Sequence, residues 1–129
     1  MSVIILKKER RFLNMKHYLK PLNHNQKSFY KNAYYTITET DTSINYRLYS
    51  YDTVVLDIVV CKEDTLLSNY IVNEKTTYSR TTEKHVKEML LQFLPNYEEI
   101  FGTCERVPIR TIMQKGLTED DIPEIFEVA

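Results

Sequence analysis

The chain of 129 residues carries 43% hydrophobic and 27% charged side chains, enough to bury one domain's core without disulfide or metal staples. Only Gly102 and Gly116 are glycine, against roughly nine at ordinary usage. With none before Gly102, the glycine loops that bring backbone against a phosphate or dinucleotide are excluded. The net charge of −1 hides a gradient: residues 1–35 carry eight basic side chains against Glu9, and residues 96–129 carry three against eight acids.

In chain order, residues 3–6 read as a short apolar strand. Phe12, Met15, Tyr18 and Leu19 fall at helical spacing, which predicts an amphipathic helix over 8–19 ended by Pro21. Met15 is also a candidate start, so residues 1–14 are expected to be a basic extension. Residues 23–26 are turn-forming.

From Tyr30 the period changes to two. Ala33, Tyr35 and Ile37 alternate with Tyr34, Thr36 and Thr38, and residues 39–42 read as a hairpin turn. On the return strand Tyr46, Leu48 and Ser50 share one face, while Arg47, Tyr49 and Tyr51 share the other. Val54, Leu56, Ile58 and Val60 then oppose Val55, Asp57 and Val59, the pattern of a strand buried on both faces. Residues 62–64 form a turn, and 66–72 a further strand.

The helix at 81–94 is the clearest element. Val86, Met89, Leu90, Phe93 and Leu94 make one stripe, with Ser79, Thr81 and Thr82 as candidate caps. Pro108 and Gly116 bracket a short helix. Acids at 119–121 precede Ile122, Ile125 and Phe126 as at a helix start. The expected fold is α+β: an antiparallel sheet of three to five strands, the 81–94 helix on one face, and short helices at the ends. Residues 15–94 form the core and 95–129 an acidic tail packed on it.

Little points to catalysis. His17, His24 and His85 lack metal-ligand spacing, and Cys61 and Cys104 match no zinc or redox pattern. Ser79 and His85, six residues apart on a cap and helix, are expected to point apart rather than form a nucleophile–base pair. Asp57, Glu63 and Asp64 beside Lys62 lack the further acid that a nuclease metal site needs. No catalytic residue, cofactor or metal is expected, and no segment is apolar over a membrane-spanning length. The expectation is a soluble, reduced, cytoplasmic protein.

The ten tyrosines carry more. A single helix covers one sheet face, so Arg47, Tyr49 and Tyr51 are the candidate partner-binding residues, a pairing of types that binding hot spots favour. The alternative is nucleic-acid binding through phosphate contacts from Lys7, Lys8, Arg10, Arg11, Lys16 and Lys20. No aromatic RNA-recognition signature supports base readout.

Three segments belong together: Ser28-Phe29-Tyr30-Lys31-Asn32-Ala33, Leu48-Tyr49-Ser50-Tyr51-Asp52-Thr53, and residues 78–86 with Tyr78, Ser79, Thr81, Thr82 and His85. Over about residues 15–94 they resemble a small domain of unknown function seen in phages, plasmids and their bacterial hosts. Lys31 stands where that pattern has glycine, which argues against a left-handed backbone there. The tryptophan of the strand before the helix is absent. The resemblance implies a mobile-element accessory protein that binds a host protein or protein–nucleic acid complex. An anti-defence inhibitor such as an anti-CRISPR is the sharpest form of that expectation.

Overall fold

The computed structural model describes residues 15–22, 29, 31–73 and 78–117. Among the described residues, five antiparallel strands follow one another across a single sheet in chain order. They are β1 (His17–Tyr18), β2 (Ala33–Glu39), β3 (Ser43–Ser50), β4 (Thr53–Cys61) and β5 (Asn69–Val72). Helix α1 (Arg80–Phe93) crosses one face, followed by α2 (Tyr97–Phe101) and α3 (Ile109–Lys115). This is the α+β meander that the sequence predicts.

The turns explain the register. Between β2 and β3, Thr40 Oγ1 accepts from the amides of Thr42 (3.3 Å) and Ser43 (3.0 Å), a side chain standing in for a backbone carbonyl. Between β3 and β4 there are only Tyr51 and Asp52, with φ of 50° and 65°. Two successive positive φ values make the primed turn whose twist matches a hairpin, here without glycine. Lys31 is also left-handed, at 57°, contrary to the sequence expectation. The two turns are joined, since the Tyr51 amide donates to the Asn32 carbonyl at 2.8 Å.

β4 departs from simple alternation. Leu48 pairs with Leu56, but Tyr49 pairs with Val54, so Val55 is an extra residue. The bulge sends Val55, 1% exposed, into the core beside Leu56, where strict alternation would have placed Val54. The predicted strand over 66–72 begins only at Asn69. Its first residues are taken into a 3-10 turn, Thr65–Leu67, because the Asp64 carboxylate caps the Leu66 amide at 3.0 Å.

α1 begins at Ser79, whose Oγ accepts from the Thr82 amide at 3.1 Å. That cap is worth about 1 kcal/mol. Burial contributes more: Val86, Met89 and Leu90 are fully covered against Leu48, Leu56, Ile58 and Tyr70. At about 1.5–3 kcal/mol each, the three outweigh the cap several-fold. Gly102, at φ 73°, ends α2 in the left-handed conformation. Pro108 and Gly116 bracket α3 as predicted, and Gly116 lets the chain press on β5. A Cβ there would lie 2.7 Å from the Tyr70 ring. Leu117 then donates to the Tyr70 carbonyl at 2.9 Å and bridges Ile71 in parallel.

The N-terminal helix is corrected. Residues 17 and 18 are a strand paired with Tyr35 and Tyr34. The His17 ring stacks on Tyr35 at 5.2 Å, Tyr18 meets Tyr34 edge-on, and Leu19 is buried at 2%. The cross-strand contacts of His17 and Tyr18 win over the helical spacing that Tyr18 and Leu19 also fit. The strand expected at 3–6, the turn at 23–26, the apolar residues Ile122, Ile125 and Phe126, and residues 8–14 of that helix lie outside the described residues.

Candidate functional site

On the sheet face away from α1, register places Arg47 opposite Asp57. The guanidinium grips the carboxylate with both arms, Nε to Oδ1 at 2.8 Å and Nη2 to Oδ2 at 3.3 Å, and Asn45 Nδ2 adds a bond of 3.2 Å. Hydrogen bonding to Asp57 holds the Arg47 proton more tightly than usual. Asp57 is 8% exposed and Lys62 is paired with Glu39 at 2.6 Å, so the acids considered for a nuclease do not converge. No cluster that could hold a metal occurs among the described residues.

Beside this pair runs a file of tyrosines. Tyr18, Tyr34 and Tyr49 are register neighbours on β1, β2 and β3. Tyr34 stacks on Tyr49 at 4.8 Å and 11°, meets Tyr18 edge-on at 6.3 Å, and carries Lys16 Nζ 4.6 Å from its ring centre. The Tyr34 hydroxyl donates to Asp52 Oδ1 at 3.0 Å. Burial, then that bond to a carboxylate, pushes its pKa up to about 12. The exposed part is narrow: Thr36, Val59 and Ile71 on the same face are covered, as is Tyr34 itself. Tyr18 is 46% exposed, the Arg47 side chain 43%, and Tyr49 half-buried.

Tyr51 does not belong to this group. Two left-handed residues end the alternation at Ser50, so the predicted sharing of a face with Arg47 and Tyr49 fails. Its ring, 53% exposed, lies 5.9 Å from His85 on the side of α1. Most other tyrosines are architectural. Tyr35 and Tyr46 pack on Phe93, Tyr70 and Tyr97 on Phe101, and the Tyr78 hydroxyl reaches the Val55 and Asn73 carbonyls at 3.0 and 2.6 Å.

The second meeting point is His85, fully buried. Its Nδ1 shares a hydrogen bond of 2.8 Å with Ser50 Oγ, which lies 3.0 Å from Thr82 Oγ1. Ser79 Oγ donates to Thr82 Oγ1 at 3.2 Å, and Phe29 packs edge-on against the imidazole at 4.7 Å. All three segments of the sequence pattern thus converge here. Ser50 and His85 are within the reach of a nucleophile and its base, and both are buried, at 3% and 0% exposure. The cluster ties β3 to α1.

A third node has no signal in the sequence. Glu88, 1% exposed, pairs with Arg106, accepts from the Leu22 amide at 3.2 Å, and is bonded by Gln92 Nε2 at 2.7 Å. Gln92 Nε2 also donates to the Lys20 carbonyl at 2.6 Å. One carboxylate therefore joins the chain before β2, α1 and the loop ahead of α3.

Of the candidate phosphate contacts, Lys16 and Lys20 are exposed near β1, and Lys7, Lys8, Arg10 and Arg11 lie outside the described residues. Cys61 and Cys104 are free thiols. No helix among the described residues is long and apolar enough to cross a membrane. No curated protein and no solved structure matches the chain. A family of unknown function, DUF8033, matches residues 17–102, from β1 through α2 and its glycine cap, and the chain belongs to that family.

Proposed function

We infer that the protein acts by binding, without catalysis, as a phage or mobile-element accessory protein in the cytoplasm of a bacterial host. Its target is a host protein or protein–nucleic acid complex, and inhibition of a defence system is the sharpest form of the reading. The observation that carries it is the narrow exposed edge of the sheet face away from α1. Tyr18, Tyr49 and Arg47 are held rigidly by stacking and by the Arg47–Asp57 fork, yet remain open to solvent. Aromatic and arginine side chains fixed before contact lose little entropy on docking, which is what hot-spot residues require. The expected partner set therefore keeps Arg47 and Tyr49 and replaces Tyr51 by Tyr18.

A second reading, nucleic-acid binding, draws on Lys16 and Lys20 standing exposed beside Tyr18. Salt separates the two. Phosphate binding weakens with a slope of about −0.9 per contacted phosphate on duplex DNA. It also collapses when Lys7, Lys8, Arg10 and Arg11 are neutralised. A protein interface centred on Tyr18, Tyr49 and Arg47 survives both changes.

A further inference from the structure

We propose that the turn between β4 and β5 is a second docking surface, and that Leu66 and Leu67 dock a peptide segment of a partner protein that combines apolar side chains with Lys and Arg. Leu66 is 62% and Leu67 71% exposed, adjacent in the chain and both out in water. A scattered leucine on a surface calls for no explanation. These two differ because the backbone presenting them is clamped from several sides. Asp64 caps the Leu66 amide at 3.0 Å, and the Leu67 amide donates to the Asp64 carbonyl at 2.9 Å. Ser68 Oγ accepts from the Cys61 amide at 3.0 Å.

Asn96 completes the clamp. It is 3% exposed, and its Nδ2 donates to the carbonyls of both Leu66 and Ser68 at 2.9 Å. Its Oδ1 has no partner among the described residues, so the residue serves the turn at a cost to itself. A turn held this firmly, with two leucines projecting, has met the ordering cost of binding in the fold.

The charge around it selects the occupant. Glu63 and Asp64 lead into the turn, and α2, starting directly after Asn96, adds exposed Glu98 and Glu99. Among the described residues none of these four acids is in an ion pair, while the neighbouring Lys62 is spent on Glu39. An acidic rim repels phosphates and repels a second copy of the same rim, and it complements a basic one. The surface extends the binding reading without using the tyrosine face.

The test is selection of a random-peptide display library on the full-length protein, followed by affinity measurement of the enriched peptides. Enriched sequences are expected to combine apolar residues with Lys or Arg and to weaken as salt rises. Leu66→Ser with Leu67→Ser is expected to weaken them about 100-fold, from two lost apolar contacts. Both sites are solvent-exposed, and circular dichroism confirms that the variant is folded. Glu98→Lys with Glu99→Lys provides a second variant that weakens them while leaving the turn intact. No enrichment, enrichment of acidic or neutral peptides, or peptides indifferent to these variants overturns the proposal. Peptides that instead depend on Lys16 and Tyr18 overturn it while leaving the tyrosine-face reading standing.

Discussion

His85 is the residue whose surroundings say most about how the sheet and helix are held together. Its contact of 2.8 Å with Ser50 is buried on both sides, at 0% and 3% exposure. Its role is to hold β3 to α1, and the energetic expectation follows. His85→Ala leaves a cavity and takes the ring partner from the Ser50 hydroxyl, a loss of about 3 kcal/mol. Ser50→Ala removes one bonded partner, at about 1–2 kcal/mol. Urea unfolding of both variants checks this, with similar m-values expected. Tyr34 supplies a pH signature. Its folded pKa of about 12 lies above the ordinary 10.0, so folding favours the neutral phenol. That contribution is complete below pH 10 and is lost as pH rises towards 12. An absorbance titration is expected to show Tyr34 ionising late, and Asp52→Asn to bring it earlier.

At the scale of elements, periodicity is what the sequence makes legible. β2, β3 and the stripe of α1 have runs long enough to show a period, and their faces fall as predicted. β1 escapes because two residues carry no period, so the helical spacing of Met15, Tyr18 and Leu19 goes unopposed. The bulge at Val55 is hidden for another reason. In a run of valines, leucines and isoleucines, one extra apolar residue leaves no trace in the pattern. Turn chemistry is legible at Thr40 and misleading at Lys31, where lysine occupies a left-handed site that glycine would fit better. Gly116 marks the opposite case, a glycine demanded by contact. Gly116→Ala forces a methyl against the Tyr70 ring and is expected to cost about 1–3 kcal/mol, read as a lowered melting temperature.

Across the whole molecule, stability rests on nodes that join distant segments, and these are the least legible. Glu88 lies on the helix beside the apolar stripe, where a surface carboxylate is the ordinary reading. Only the fold brings Arg106 and the Leu22 amide to it. Arg106→Ala leaves that carboxylate buried without its counter-charge and is expected to cost about 3 kcal/mol, measured by urea unfolding. The candidate binding face is half legible for the same reason. Arg47 and Tyr49 can be paired by alternation within one strand. Tyr18 and Lys16 join them only through strand order, and Tyr51 leaves them through a turn.

The measurement closest to the central claim is affinity capture from nuclease-treated bacterial lysate. It compares the full chain with a variant carrying Lys16→Ala and Tyr18→Ser, both exposed positions whose loss leaves the core intact. The account predicts a stoichiometric protein partner that survives nuclease, is retained by the wild-type chain and is lost by the variant. Capture of nucleic acid alone, or a partner held equally by both proteins, contradicts it.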